Sequence, residues 1–369
     1  MPEHKLHKDS FKWIWGHGEY TSWSRKGASR LLYIEGNPGS GKSTLTKYFS
    51  DHLLEREEAA KSATVARFFY SNRDGELQKN HSNMLRSILY DILRQEESFF
   101  YPHFQTAYRG QRRRGVRADW EYNSLKTVLE SLRDHSSAKP VYLIIDAVDE
   151  SEEKDRRDVL KILFELCGET KNCIVKAFVA SRPVGELEVR KVHNKISLQV
   201  ETETDISNFA DSFLDDLKST PLLAQAKDYI VKNAQGVFLW VKLVGEELLA
   251  EVAKGSPPGV VFEFLKGLPT ELEGFYAHMF QKMDRSERAL QDSVKMFRFV
   301  LFARRPLLVD ELLHTLGIPD NPDEEFTTSG DAFWGRKPFE HRILYCGGNF
   351  LEIKQHHGIS TTDADSSNP

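Results

Sequence analysis

Apolar and polar positions along this chain follow two periods, and the period changes once. Leu31-Leu32-Tyr33-Ile34 is a short apolar run that stops at Glu35 and Gly36, which reads as a buried strand. From Ser43 to about Glu57 the apolar residues Leu45, Tyr48, Phe49, Leu53 and Leu54 fall near helical spacing. Thr64 to Tyr70 reads as a second strand. His81 to about Gln95 reads as a helix with Met84, Leu85, Ile88, Leu89 and Ile92 on one face. A further helix is expected from about Tyr122 to His135. Val141 to Ile145 is continuously apolar and ends in Asp146, and Val159 to Leu166 is amphipathic. Ile174 to Ala180 forms the next strand, and Ile196 to Val200 a weaker last one. This alternation predicts an α/β fold, a five-stranded parallel sheet with helices on both faces.

Past about Thr204 the strand signal disappears. Segments 205–218, 222–233, 237–253, 258–266, 271–283 and 287–303 all read helical, with breaks at Pro257-Pro258 and Gly267-Leu268-Pro269. Residues 319–332 are acidic and loop-like, and 343–353 are expected to form one or two strands. The tail from Ser360 to Pro369 is rich in Ser, Thr and Asp and reads as disordered. No internal repeat of 20–50 residues is visible. Residues 1–29 are polar but carry Trp13, Trp15 and Trp23. They read as a helical lead-in that packs its tryptophans on the first domain; in a second reading, one tryptophan walls a ligand pocket.

Composition narrows the class. A chain of 369 residues holds two or three domains. With 40% hydrophobic and 28% charged residues it is an ordinary globular sequence, neither collagenous nor disordered. Cys167, Cys173 and Cys346 form no C-x-x-C pair, which suits a reducing compartment and argues against a cysteine zinc site. A net charge of −5 argues against nucleic-acid binding by bulk charge. The start MPEHKLHKDS lacks the apolar core of a secretory signal, and no window reaches 18 consecutive apolar residues. A cytoplasmic protein without a membrane segment is expected.

Gly36-Asn37-Pro38-Gly39-Ser40-Gly41-Lys42-Ser43 fits G-x-x-x-x-G-K-[ST], between a predicted strand and a predicted helix. The chemistry needs these residue types. Glycines let backbone N–H groups converge on an anionic phosphate. The helix N-terminus, with Thr44 in its first turn, adds its positive dipole end. Lys42 reaches the terminal phosphates, and the Ser43 hydroxyl ligates Mg²⁺. In Tyr142-Leu143-Ile144-Ile145-Asp146 a buried strand delivers Asp146 to the sheet edge where that Mg²⁺ would sit. Asp149 and Glu150 lie just beyond, where one could orient and deprotonate an attacking water or both could be solvated loop residues. The longer side chain favours Glu150. Arg182, in Ala180-Ser181-Arg182-Pro183, closes the next strand and either faces the γ-phosphate or lies on the surface before a turn.

The runs LLYIEGNPGSGKSTLTKYF, RFFYSNRDGELQKNHSNMLRSILYDIL, YLIIDAVDE and VASRP together resemble the fungal NACHT nucleoside-triphosphatases. These are nephrocystin-3-like modules of heterokaryon-incompatibility and NLR-like proteins, within the STAND class of switch NTPases. AQGVFLWVKLV, LKGLPTELEGFY, RRPLLVDELL and LYCGGNFLEIKQHHG extend the likeness to roughly residues 12–357. The resemblance implies a lead-in at 1–29, a NACHT P-loop domain at 30–204 and a helical domain at 205–285. A partial winged-helix domain at 286–357 and a disordered tail at 358–369 would follow. It implies that Pro269 packs against the base, and that the strand ending at Ala180 lies between the two motif strands. Relatives carry effector domains and repeats that this sequence lacks, and His356 and His357 do not match the family's phosphate-contacting histidine motif. A shortened or minimal member is therefore expected.

The resemblance implies a signalling switch that binds ATP or GTP with Mg²⁺, hydrolyses it slowly, and engages protein partners or itself in the triphosphate state. The absence of an N-K-x-D motif leans towards ATP. A non-hydrolysing interaction module stabilised by nucleotide is the alternative, and a small-molecule kinase a lesser one. The run Arg112-Arg113-Arg114 with Arg117 reads as a solvated segment, a partner patch or, least, a nucleic-acid contact. The His356-His357 pair is too short for a metal site.

Overall fold

The computed structural model describes residues 10–353 apart from 73–74, 114–119, 138, 155, 169–171, 184–193, 215–219, 284–285, 317, 319–335, 348–349 and 352. The acidic stretch at 319–332, Arg114, Arg117, His356-His357 and the tail therefore lie outside the described residues. The chain forms two compact units, Met1–Thr270 and Glu271–Pro369.

In the first unit the strands are β1 (Arg30–Glu35), β2 (Thr64–Phe69), β3 (Val141–Asp146), β4 (Val175–Ser181) and β5 (Asn194–Ser197). All pairings are parallel, in the order β2-β3-β4-β1-β5. β4 thus separates the two motif strands, as the resemblance implied. The helices of this region that pack on the sheet include α1 (Gly18–Ser24), α2 (Lys42–Arg56), α3 (His81–Gln95), α4 (Tyr122–Glu130) and α5 (Arg156–Gly168).

Alternate residues of each strand enter two separate cores, because side chains alternate across a sheet. Leu31, Tyr33, Leu143, Ile145, Ala177 and Val179 pack with α3, α4 and α5 on one face. Leu32, Ile34, Ile144, Phe178 and Ala180 pack with α2 and the lead-in on the other. Both faces are covered, which is why β1 and β3 read as continuous apolar runs and β4 as one broken only by Lys176. The lead-in packs as expected. Trp23 is fully buried, and Trp15 stacks on Phe49 at 5.2 Å, which stacks on Phe178 at 4.3 Å.

After β5 come α6 (Leu198–Glu201), α7 (Glu203–Leu214), α8 (Thr220–Ala234), α9 (Phe238–Ala253) and α10 (Pro258–Gly267). The last strand is displaced from its expected place. It spans 194–197, and Leu198–Glu201 is helical. Its final rung pairs Ser197 with Glu35, the last residue of β1, so the chain has no partner strand to follow further.

The second unit contains α11 (Leu272–Lys282), α12 (Glu287–Phe302), α13 (Val309–Leu316) and α14 (Arg336–Gly347). Met296, Leu312, Leu313, Phe339, Ile343 and Cys346 form its core. Where strands are expected at 343–353, residues 343–347 continue a helix, and residues 348–349 and 352 lie outside the described residues. Phe339, Ile343 and Cys346 fall at helical spacing and bury one face.

Candidate functional site

The loop between β1 and α2 folds for reasons visible in its residues. Asn37-Pro38-Gly39-Ser40 is a tight turn closed by the Ser40 N–H donating to the Asn37 carbonyl at 3.2 Å. Pro38 supplies the first turn position, and Gly39, at φ 73°, the second, which requires a left-handed residue. Gly41, at φ 85°, stands immediately before α2. Gly36 is closely packed: a Cβ there would lie 2.4 Å from the Ser40 hydroxyl, which would have to turn away. The Gly36 N–H donates to the Ser181 carbonyl at 3.2 Å, tying the loop to β4.

Lys42 opens α2 and folds its ammonium back over the loop. It donates to the Gly36 carbonyl at 2.8 Å and the Asn37 carbonyl at 3.0 Å. Burial lowers its pKa, and Asp149, the largest opposing influence, pulls it back up. Asp146 ends β3 and is only 2% exposed. Burial pushes its pKa up, while hydrogen bonds from Ser43, Thr46 and the Ala147 N–H oppose the rise. The Thr46 hydroxyl donates to Asp146 at 2.9 Å. Ser43 and Asp146, one from each motif, therefore stand side by side.

That pair suits a hard dication. A buried carboxylate whose charge is destabilised gains from a cation beside it, and a hydroxyl is a second oxygen donor. Among the described residues no group of three or more His, Cys, Asp or Glu side chains could hold a metal. Mg²⁺ at a phosphate site uses one or two carboxylates and completes its shell with water and phosphate oxygens.

Beyond Asp146 the chain turns sharply. Ala147 takes φ 53°, and the Glu150 N–H donates to its carbonyl at 2.8 Å. The two acidic residues have different partners. Asp149 accepts from the Ser181 hydroxyl at 3.2 Å and the Arg182 N–H at 2.8 Å, and pairs with the Arg182 Nε at 3.0 Å. It therefore anchors Arg182, whose carbonyl is also held by the Tyr33 hydroxyl at 3.1 Å. Glu150 accepts from the Asn72 N–H at 2.9 Å through one oxygen. Gly36 to Thr44, Asp146, Asp149, Glu150 and Arg182 thus gather at the C-terminal ends of β1, β3 and β4.

The Pro269 carbonyl accepts from the Trp240 indole N–H at 2.8 Å. Among the described residues, Val237, Phe238 and Leu239 reach the loop from the start of α9. They and Phe11 come within 3.4 Å of where side chains on Gly39 or Gly41 would lie. Sequence reasoning did not single them out, because apolar residues near a helix start read as core. Thr46 was also missed. Its signal was available, since it lies one turn beyond Lys42 on the helix that opens at the loop.

Residues 9–182 match the family described as Nephrocystin 3, N-terminal. The Vegetative incompatibility protein HET-E-1 of Podospora anserina is 26% identical over 366 residues, covering 95% of this chain and 25% of that protein. The chain thus spans about a quarter of the length of this curated relative. Among solved structures, the Drosophila ORC bound to DNA is 14% identical with a TM-score of 0.37, covering 79% of this chain and 76% of that one. The Aeropyrum pernix ORC2 protein is 15% identical with a TM-score of 0.33, covering 88% and 81%. Both likenesses are remote.

Proposed function

As a member of the NACHT-type, nephrocystin-3-like P-loop NTPases, this chain, we propose, is a nucleotide-driven signalling switch of the heterokaryon-incompatibility kind. The observation that carries the reading is the junction of the two motifs, where the glycine loop, Lys42, Ser43 and buried Asp146 converge on one sheet edge.

In this reading Gly36, Asn37, Pro38, Gly39, Ser40, Gly41, Lys42, Ser43 and Thr44 bind the phosphates, ATP being preferred over GTP. Ser43 and Asp146 hold Mg²⁺, which would offset phosphate charge. Lys42 exchanges its two carbonyl partners for phosphate oxygens, a charge-assisted bond in place of neutral ones. Asp149 is the anchor of Arg182, whose guanidinium meets the γ-phosphate, and Glu150 accepts the proton of the attacking water. Pro269 is proposed to pack near the base. Residues 30–204, 205–285 and 286–357 act as NTPase, helical and winged-helix-like parts of the switch, with protein partners or self-association in the triphosphate state.

One observation favours the second reading, a non-hydrolysing module. Both Asp149 and Glu150 already accept hydrogen bonds from the surrounding chain. Single-turnover hydrolysis separates the two. Glu150→Gln is expected to keep nucleotide binding and slow hydrolysis by roughly 10²–10⁴-fold, the size of a general-base loss. Hydrolysis at the parent rate in Glu150→Gln with loss in Asp149→Asn would move the role to Asp149. No turnover by the parent protein would favour the module.

A further inference from the structure

The two loop glycines with left-handed backbone, Gly39 and Gly41, are covered by one element from a distant part of the chain. Gln235 (φ 46°) and Gly236 (φ 78°) turn the chain in two successive left-handed steps just before α9. The bend is tight. A Cβ on Gly236 would lie 2.4 Å from the Gln199 Cα and 2.7 Å from its carbonyl oxygen, so only glycine passes there. The first turn of α9 then lies against the loop. The Leu239 N–H donates to the Gly39 carbonyl at 3.2 Å. A Cβ on Gly39 would lie 2.6 Å from the Leu239 Cβ.

A second support comes from the lead-in. A Cβ on Gly41 would lie 3.3 Å from both the Phe11 and the Phe238 rings. Phe11 is itself left-handed at φ 63°, a conformation a bulky residue adopts only when its surroundings impose it. What imposes it is visible. Its N–H donates to both oxygens of buried Asp205, at 3.3 and 3.2 Å, and the Trp13 indole donates to the same carboxylate at 2.9 Å.

The Leu239 N–H is one of the first amides of α9 and has no acceptor within its helix. Its partner is a carbonyl of the loop proposed to cradle phosphate. Because the peptide is planar, this bond and the Ser40 N–H bond to the Asn37 carbonyl together fix the orientation of the Gly39–Ser40 peptide within the loop. We infer that Leu239 is a positioning residue for nucleotide binding: through Gly39 it holds the loop in its phosphate-binding shape, so the seating of α9 and nucleotide affinity are coupled. This rests on the nucleotide-binding reading above.

A double-mutant cycle in the full chain tests it, with N-methylanthraniloyl-ATP and -GTP as probes and circular dichroism to confirm folding. Gly39→Ala suffers both the left-handed strain and the clash with Leu239, whereas in Leu239→Gly the strain remains and the clash is gone. Strain cancels in the cycle, so the coupling isolates the contact. Gly39→Ala is expected to weaken binding by about 100-fold in the parent and by under about tenfold in Leu239→Gly, a coupling of about 1.4 kcal/mol or more. Additive losses, with coupling under about twofold, overturn the inference while leaving the nucleotide reading intact. A parent chain that binds neither probe overturns both. If Gly39→Ala does not fold, the single variants decide. Leu239→Pro, which lacks the N–H donor at a first-turn position, is expected to bind about tenfold more weakly with Leu239→Ile near the parent, and equal affinities in all three overturn the inference.

Discussion

Asp146 shows how one residue can carry opposing demands. A carboxylate at 2% exposure is destabilised as an anion, and Ser43, Thr46 and the Ala147 amide only partly offset this. A dication beside it would complete the compensation. Asp146→Asn keeps the shape and removes the charge. Nucleotide titrations with Mg²⁺ and with EDTA are expected to differ in the parent and to coincide in Asp146→Asn. Persistence of the Mg²⁺ effect in the variant would place the metal elsewhere. Asp149 and Glu150 were read together in the sequence as two loop carboxylates. Their partners, Arg182 and Asn72, come from strand ends 33 and 78 positions away, which no local pattern reveals.

Among the elements, β4 carries a residue at odds with its place. Lys176 is 2% exposed in the strand paired between β1 and β3. Its ammonium donates to the carbonyls of Trp23 and Arg25 at the end of α1. Burial lowers its pKa to about 8, from an ordinary 10.5. Between those values the unfolded chain holds a proton that the folded chain has released, so stability rises with pH across that window. Burial also raises Cys167 to about 12 and Cys173 to about 11, from 9.0, which costs stability once pH passes 9. The Lys176 contribution is therefore clearest from pH 8 to 9, at up to about 1.4 kcal/mol per unit. Urea melts at those two pH values are expected to show the parent gaining stability relative to Lys176→Met. A parallel pH response in both proteins would mean Lys176 does not titrate there. The central strands were legible because burial on both faces makes them mostly apolar runs. The lysine at position 176 interrupts such a run, and only the fold shows that it reaches α1. The ends of the sheet were less legible. β5 stops where β1 stops, a limit set by its neighbour, and the stretch read as strand from position 343 is the end of a helix whose buried face is Phe339, Ile343 and Cys346.

For the whole molecule, the motif loop and its two strands were readable because local chemistry demands them: glycines for positive φ, a lysine and serine at a helix start, a carboxylate at a strand end. The covering of the loop by α9 and the lead-in was not readable. It joins Phe11, Gly39, Gly41, Asp205 and Leu239 across some 200 residues of sequence, through contacts between unlike elements. Among the described residues no helix is long and apolar enough to cross a membrane. Everything in this account depends on the loop binding nucleotide. Equilibrium binding of labelled ATP and GTP with Mg²⁺, to the purified chain and to Lys42→Ala, tests it most directly. Saturable binding by the parent, tighter for ATP, and a loss of at least about 100-fold in Lys42→Ala are expected, since the variant lacks the charge-assisted phosphate contact. Equal affinity in the two proteins, or no binding by the parent, would contradict it.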